Sequence, residues 1–204
     1  MSAKQDSALA TRRDEKRRKG SRNKIHGFFE VALKDFGHVG GIFPSSPWAS
    51  RSIVKHLPHS PDVVVEYGPG NGTLTEHILE KLPRNARLVG IEVNQDFVSH
   101  LKTFADPRLE VLHGDVLERS AVLKDFARGG VDAVVSGIPF TFLSPAEREK
   151  VLERTRDGLR AGGRFIVYQN SLRMKDSLRR VFGKVDSYFE PRNIFPYFIM
   201  VATR

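Results

Sequence analysis

Short apolar runs recur along the chain at 63–68, 87–93, 109–115, 131–140 and 164–170, and most of the gaps between them carry a helical pattern. Strands that alternate with helices pair side by side through crossovers, which dictates an α/β fold with a mostly parallel sheet covered by helices. Val63-Val64-Val65, apolar at successive positions, suits a strand buried on both faces. Helices are expected over 75–82, ended by Pro83, over 96–104, ended by Asp106-Pro107, and near 175–182. A capping box, Ser144-Pro145-Ala146-Glu147, opens another helix, which Gly162-Gly163 is expected to close. Two late strand-like segments, 184–190 and 197–204, have no long helix between them and predict an antiparallel hairpin at the sheet edge. At 204 residues there is room for one such domain and one site, which an open sheet places at the C-terminal ends of its strands.

The N-terminal part differs in character. Residues 1–24 hold nine Lys/Arg against Asp6, Asp14 and Glu15, so six of the nine net positive charges sit in this tail. Such a tail suits an anionic partner, either nucleic acid or a membrane surface, or simply stays solvated. Ile25, Phe28, Phe29, Ala32, Leu33 and Phe36 then fall on one face of an amphipathic helix. After Gly37, Gly40 and Gly41, Ser46 is placed to cap a second helix with Pro47 at its first position, running to about residue 57. The expected organisation is a basic tail over 1–24, amphipathic and lid helices over 25–60, and a ligand-binding domain over 61–204.

The absence of cysteine excludes disulfides, thiolate metal sites and a cysteine nucleophile, and a reducing cytoplasm is the simplest setting. No apolar run reaches the roughly 20 residues that cross a bilayer, and the N-terminus lacks the apolar segment of a secretory signal, so a soluble or peripheral chain is expected. No metal is expected, and a monomer is the expected state.

The stretch EYGPGNGT, 66–73, follows the first strand. Its glycines stand at 68, 70 and 72 with Thr73 beyond them, which fits the dinucleotide spacing G-x-G-x-x-G poorly. Glu66 ahead of the loop would repel a pyrophosphate but suits a cationic ligand. S-Adenosylmethionine carries an ammonium and a sulfonium and no phosphate. Glu92 ends the second strand, where a carboxylate can accept from both ribose hydroxyls, and Asp115 ends the third, where it can accept from an adenine amino group. Each acid alone is as readily a helix cap or turn residue; three on successive strand ends point to one ligand.

EYGPGNGT, GIEVN, HGDV and VVSGIPF resemble the successive motifs of class I S-adenosylmethionine-dependent methyltransferases, over about residues 40–204. The resemblance implies a Rossmann-like fold and S-adenosyl-L-methionine as cofactor. It implies cofactor contacts from Glu66, Gly68, Gly70, Gly72, Thr73, Glu92, Val93, Asp115, Val116 and Ser136. It also implies substrate contacts from Gly137, Ile138, Pro139, Phe140 and Arg192.

Two groups share these motifs. In ribosomal RNA adenine dimethylases the fourth strand ends in Asn-Leu/Ile-Pro-Tyr/Phe, whose amide oxygen accepts from the target amine and whose ring stacks on the base. Here Gly137 stands in the asparagine's place, although Phe140 could still stack, and the chain ends at Arg204 without the helical domain those enzymes use to grip RNA. Bacterial phospholipid N-methyltransferases resemble it more widely: a phenylalanine-rich helix, a stretch matching GGIFPSS, S-G-I-P after the fourth strand, and an Arg-Asn-x-Pro-Pro segment approximated by 192–196. The expected activity is therefore N-methylation of an amino phospholipid such as phosphatidylethanolamine at the membrane, with an rRNA adenine methyltransferase as the alternative. The basic tail and the phenylalanine face would form a two-signal membrane attachment. A head-group alkylammonium titrates near pH 10, by analogy with lysine, and must lose its proton, for which Tyr168, Tyr67, His38 and Ser46 are candidates. Arg51, Arg173 and Arg192 are candidates for holding the lipid phosphate.

Overall fold

The computed structural model describes residues 47–192 and 196–204. The tail, the phenylalanine-faced helix, His38 and Ser46 lie outside the described residues, as do 193–195. The first described element is helix α1 (Pro47–Val54), which stops short of 57 and turns through His56 and Leu57. Then come β1 (Val63–Tyr67), α2 (Thr73–Lys81), β2 (Arg87–Glu92), α3 (Gln95–Leu101) and β3 (Leu109–His113). A short helix α4 (Val116–Arg119), a 3-10 turn (Ser120–Asp125), β4 (Val131–Ser136) and a second 3-10 turn (Phe140–Phe142) follow. The last elements are α5 (Pro145–Gly158), β5 (Leu159–Gln169), α6 (Lys175–Phe182), β6 (Val185–Glu190) and β7 (Tyr197–Thr203).

Among the described residues the strands form one seven-stranded sheet in the order β3-β2-β1-β4-β5-β7-β6. β1 to β5 run parallel, and β7 pairs antiparallel with both β5 and β6, giving the expected C-terminal hairpin. β1 lies between β2 and β4, so the strand order reverses at its C-terminal end and opens a crevice there.

Strand alternation assigns the core. Val64, Ala133, Val135, Ile166 and Ile199 face α1 and α2, burying Ile53, Leu57, Leu74 and Ile78 against the sheet. Tyr67 and Phe165 face the other way, with Phe140 and Phe182 edge-on or tilted against Phe165. Each such apolar side chain, removed from water, contributes about 1.5–3 kcal/mol.

The capping box is present in full: the Ser144 hydroxyl accepts from Glu147 N–H and the Glu147 carboxylate accepts from Ser144 N–H. The expected stop at Gly162-Gly163 is not observed. α5 ends at Gly158, where a side chain would collide with Leu123 of the preceding turn, and both glycines fall inside β5. Gly162 has φ +76°, and it lies in an irregular stretch where the β4–β5 register shifts.

Asp132, 3% exposed, ties the bases of three strands together. One carboxylate oxygen accepts from the N–H groups of Asp62 (2.8 Å) and Val63 (2.7 Å), and the other pairs with Arg160 (2.8 Å). Asp132→Ala leaves two backbone donors and a guanidinium without their acceptor and is expected to destabilise the fold by about 3 kcal/mol in urea denaturation. An unchanged midpoint would mean that water replaces the carboxylate at no cost.

Candidate active site

The glycine loop leaves β1 and turns back into α2. Gly68, Gly70 and Gly72 all have positive φ, and Gly68 N–H donates to Ile91 O of β2 at 2.9 Å. A side chain at Gly72 would collide with Phe104, whereas one at Gly70 would meet nothing within 4 Å. Gly70 is thus the position where the left-handed turn leaves open space over the backbone. Thr73 caps the turn through Asn71, its N–H and hydroxyl donating to the Asn71 side-chain oxygen at 3.3 and 3.0 Å.

Glu66 is 1% exposed. One oxygen accepts from the Thr75 hydroxyl at 2.7 Å, and the other has no hydrogen-bond partner among the described residues. Burial pushes its pKa up to about 7, opposed by the Thr75 hydroxyl and aided by the charge of Glu92. A cation or donor that reaches the unpaired oxygen would hold the group in its charged form.

Glu92 is also buried, and its two oxygens accept from Gly70 N–H (3.0 Å) and Asn94 N–H (2.8 Å). Burial raises its pKa, opposed by the backbone N–H groups of Asn94, Gly70 and Val93 and then by His113. Besides being a candidate ribose acceptor, Glu92 anchors the glycine loop to the end of β2, a role that sequence spacing did not show. Asn94, which caps α3 by accepting from Asp96 and Phe97 N–H, completes this corner. Val93 receives His113 through its carbonyl, with the ring nitrogen at 3.0 Å. Asp115 caps α4, accepting from Leu117 N–H at 2.8 Å, and Val116 is buried behind it.

The fourth motif closes the crevice on the other side. Ser136 is fully buried, with its hydroxyl unpartnered among the described residues. The Ile138 side chain lies against Gly68, where an added Cβ would come within 2.8 Å of it, and the Ile138 carbonyl accepts from the Gln169 amide at 3.0 Å. Gln169 was not foreseen; its only sequence signal is its place at the end of β5. Pro139 leads into the 3-10 turn.

Two expectations need correction. Tyr67 is the last residue of β1, not part of the loop; it is fully buried with its hydroxyl 3.0 Å from Thr155, and burial raises its pKa, so it cannot serve as a base at the site. Strand alternation sends it to the face opposite Glu66. Phe140 is fully buried with its ring edge-on to Phe165, so it presents no face to a base. Arg192 is held by both oxygens of Glu190 at 2.8 Å, which lowers Glu190 to about 2, and its guanidinium lies 5.8 Å from the Trp48 ring, with Arg51 at 5.7 Å. Arg173 is exposed. Tyr168 is half-buried beside Gly137, its ring edge-on to Tyr197 at 5.6 Å.

A buried carboxylate oxygen with no partner among the described residues, an open glycine turn and a second carboxylate at the next strand end fit a ligand with a cationic amino-acid end, a ribose and no phosphate. S-Adenosylmethionine is such a ligand, and Glu66, the 68–73 loop and Glu92 are the residues that would hold it.

Comparison with known proteins agrees. The family described as a methyltransferase domain matches residues 64–163. An ornithine lipid N-methyltransferase of Singulisphaera acidiphila is 33% identical over 183 residues, covering 83% of this chain and 92% of that one. A ribosomal RNA small subunit methyltransferase A of Thermotoga petrophila is 33% identical over 129 residues, 59% of this chain but 46% of the relative. Among solved structures, a 1,6-didemethyltoxoflavin-N1-methyltransferase of Burkholderia thailandensis with bound S-adenosylhomocysteine superposes with TM-score 0.67 at 17% identity, over 91% of this chain and 89% of that one. The fold, the loop and these matches agree: the chain belongs to the class I S-adenosylmethionine-dependent methyltransferases.

Proposed function

We propose that the protein methylates the amine of a lipid head group, phosphatidylethanolamine or another amino lipid, at a membrane surface. The observation that carries this reading is the extent of the similarity: the match to the ornithine lipid enzyme runs along 92% of that protein, whereas the match to the rRNA enzyme spans under half of it. Gly137 in place of an amide side chain and the burial of Phe140 also count against a flipped adenine. The basic residues of 1–24 and the apolar periodicity of the sequence over 25–36 support action at an anionic surface.

When bound, S-adenosylmethionine supplies an electrophilic methyl group; the products are the methylated amine, S-adenosylhomocysteine and a proton. The chain's part is positional. Glu66 stabilises the ligand's cationic end, Glu92 holds the loop closed on it, and the apolar side chain of Ile138 helps exclude water from the reacting amine. An alkylammonium near pKa 10 must first give its proton to solvent, which predicts a rate rising with pH across the neutral range.

The test incubates purified protein with methyl-labelled S-adenosylmethionine, a total lipid extract and ribosomal RNA together. Label is expected in the lipid fraction. Label confined to RNA would overturn the proposal and favour the alternative.

A further inference from the structure

At the mouth of the crevice β4 and β5 run side by side, Ser136 pairing with Val167, so that Gly137 lies beside Tyr168. Alternation places both on the sheet face of Glu66, which pairs with Val135 two residues earlier on β4. A Cβ built on Gly137 would overlap the Tyr168 hydroxyl and the ring carbon that bears it. The space a side chain would take at 137 is thus filled by the end of a phenol. The next residue, Ile138, lies against Gly68, so Gly137 is one residue from the contact with the cofactor loop. Tyr197 braces the ring from β7.

We propose that Gly137 and Tyr168 are a matched pair, in which the missing side chain admits the Tyr168 hydroxyl as the oxygen that accepts an N–H of the substrate amine and fixes the direction of its lone pair. The inference rests on the amine-methylation reading. A phenol hydroxyl accepts one hydrogen bond while donating another. It therefore orients an uncharged amine without taking its proton, which goes to water. An acceptor mounted on a strand and braced by a second ring holds the amine more narrowly than a loop side chain. The same pair sets size: any residue larger than glycine at 137 displaces the phenol.

Tyr168→Phe and Gly137→Ala, singly and together, are compared with the wild-type protein on amino-lipid vesicles. Tyr168→Phe is expected to lower kcat on the order of tenfold or more, with S-adenosylhomocysteine affinity by calorimetry and the thermal midpoint close to wild type. Gly137→Ala, which pushes the hydroxyl away, is expected to lose kcat to a similar degree, and the double variant no more than either single one, as residues acting as one unit do. Wild-type kcat in Tyr168→Phe, or losses that multiply in the double variant, would overturn the pairing while leaving amine methylation standing. Tyr168→Phe stands alone as the test if Gly137→Ala fails to fold. A wild-type protein that labels only RNA would remove the amine reading and this inference with it.

Discussion

Glu92→Ala is expected to weaken binding of S-adenosylhomocysteine by about 100-fold, equivalent to about 3 kcal/mol. Two losses combine. The carboxylate is a candidate acceptor for ribose hydroxyls, each of its oxygens having a lone pair beyond those already used. It also holds Gly70 N–H and Asn94 N–H, so the alanine variant removes one of the glycine loop's two ties to β2, keeping only that of Gly68 to Ile91, and leaves two shielded backbone donors without their acceptor. Binding then has to order a loop that is already ordered in the wild-type protein. Glu92→Gln keeps one acceptor oxygen and is expected to fall between the two. Calorimetry with S-adenosylhomocysteine reads the affinity and urea denaturation reads the fold. An affinity within threefold of wild type would place the ligand elsewhere.

Glu66 carries the second large effect, and its sign depends on pH. In the folded chain the carboxyl keeps its proton up to about pH 7, whereas unfolded it releases it near the ordinary value of 4.5. Between those values the folded state binds more protons than the unfolded state, so stability falls as pH rises through this window, and the whole loss is present above it. The loss amounts to roughly 3 kcal/mol for a carboxyl raised from 4.5 to about 7. Glu66→Gln, the neutral acid's closest mimic, removes the dependence. Without ligand the variant is expected to match wild type near pH 4.5 and to exceed it by up to about 3 kcal/mol at pH 8 in urea denaturation. It is also expected to lose at least tenfold in S-adenosylmethionine affinity, since no charge remains to face the cationic end. A variant less stable than wild type at pH 8 would show that the carboxylate has a cation or water partner in the free protein.

Much of this was legible from sequence because the signals were local. Val63-Val64-Val65 suits a buried strand, and the three glycines after it suit a turn. The alternation of strands and helices implied the parallel sheet, and the missing helix after 184–190 implied the hairpin. The misreadings came from tertiary contacts. Gly162-Gly163 looked like a helix stop, but α5 ends earlier, at Gly158, where it crosses Leu123, and the glycines serve an irregular part of β5 instead. Tyr67 and Glu66 are adjacent in the motif, yet a strand sends them to opposite faces, a consequence of period two that the motif's appearance masks. Phe140 looked available because it stands in the place of the fourth motif's stacking Tyr/Phe, but the 3-10 turn folds it under the sheet against Phe165. The double duty of Glu92 and the bond from Gln169 to Ile138 depend on which strand ends meet, and no single segment encodes that.

Mass spectrometry of the lipid product reads the reaction itself. Vesicles of phosphatidylethanolamine, or of an ornithine lipid, incubated with the protein and S-adenosylmethionine are expected to yield head groups heavier by one methylene unit per transfer, with the added mass on the amine fragment. Unmodified lipid amines alongside methylated adenine in ribosomal RNA treated with the same preparation would contradict the account.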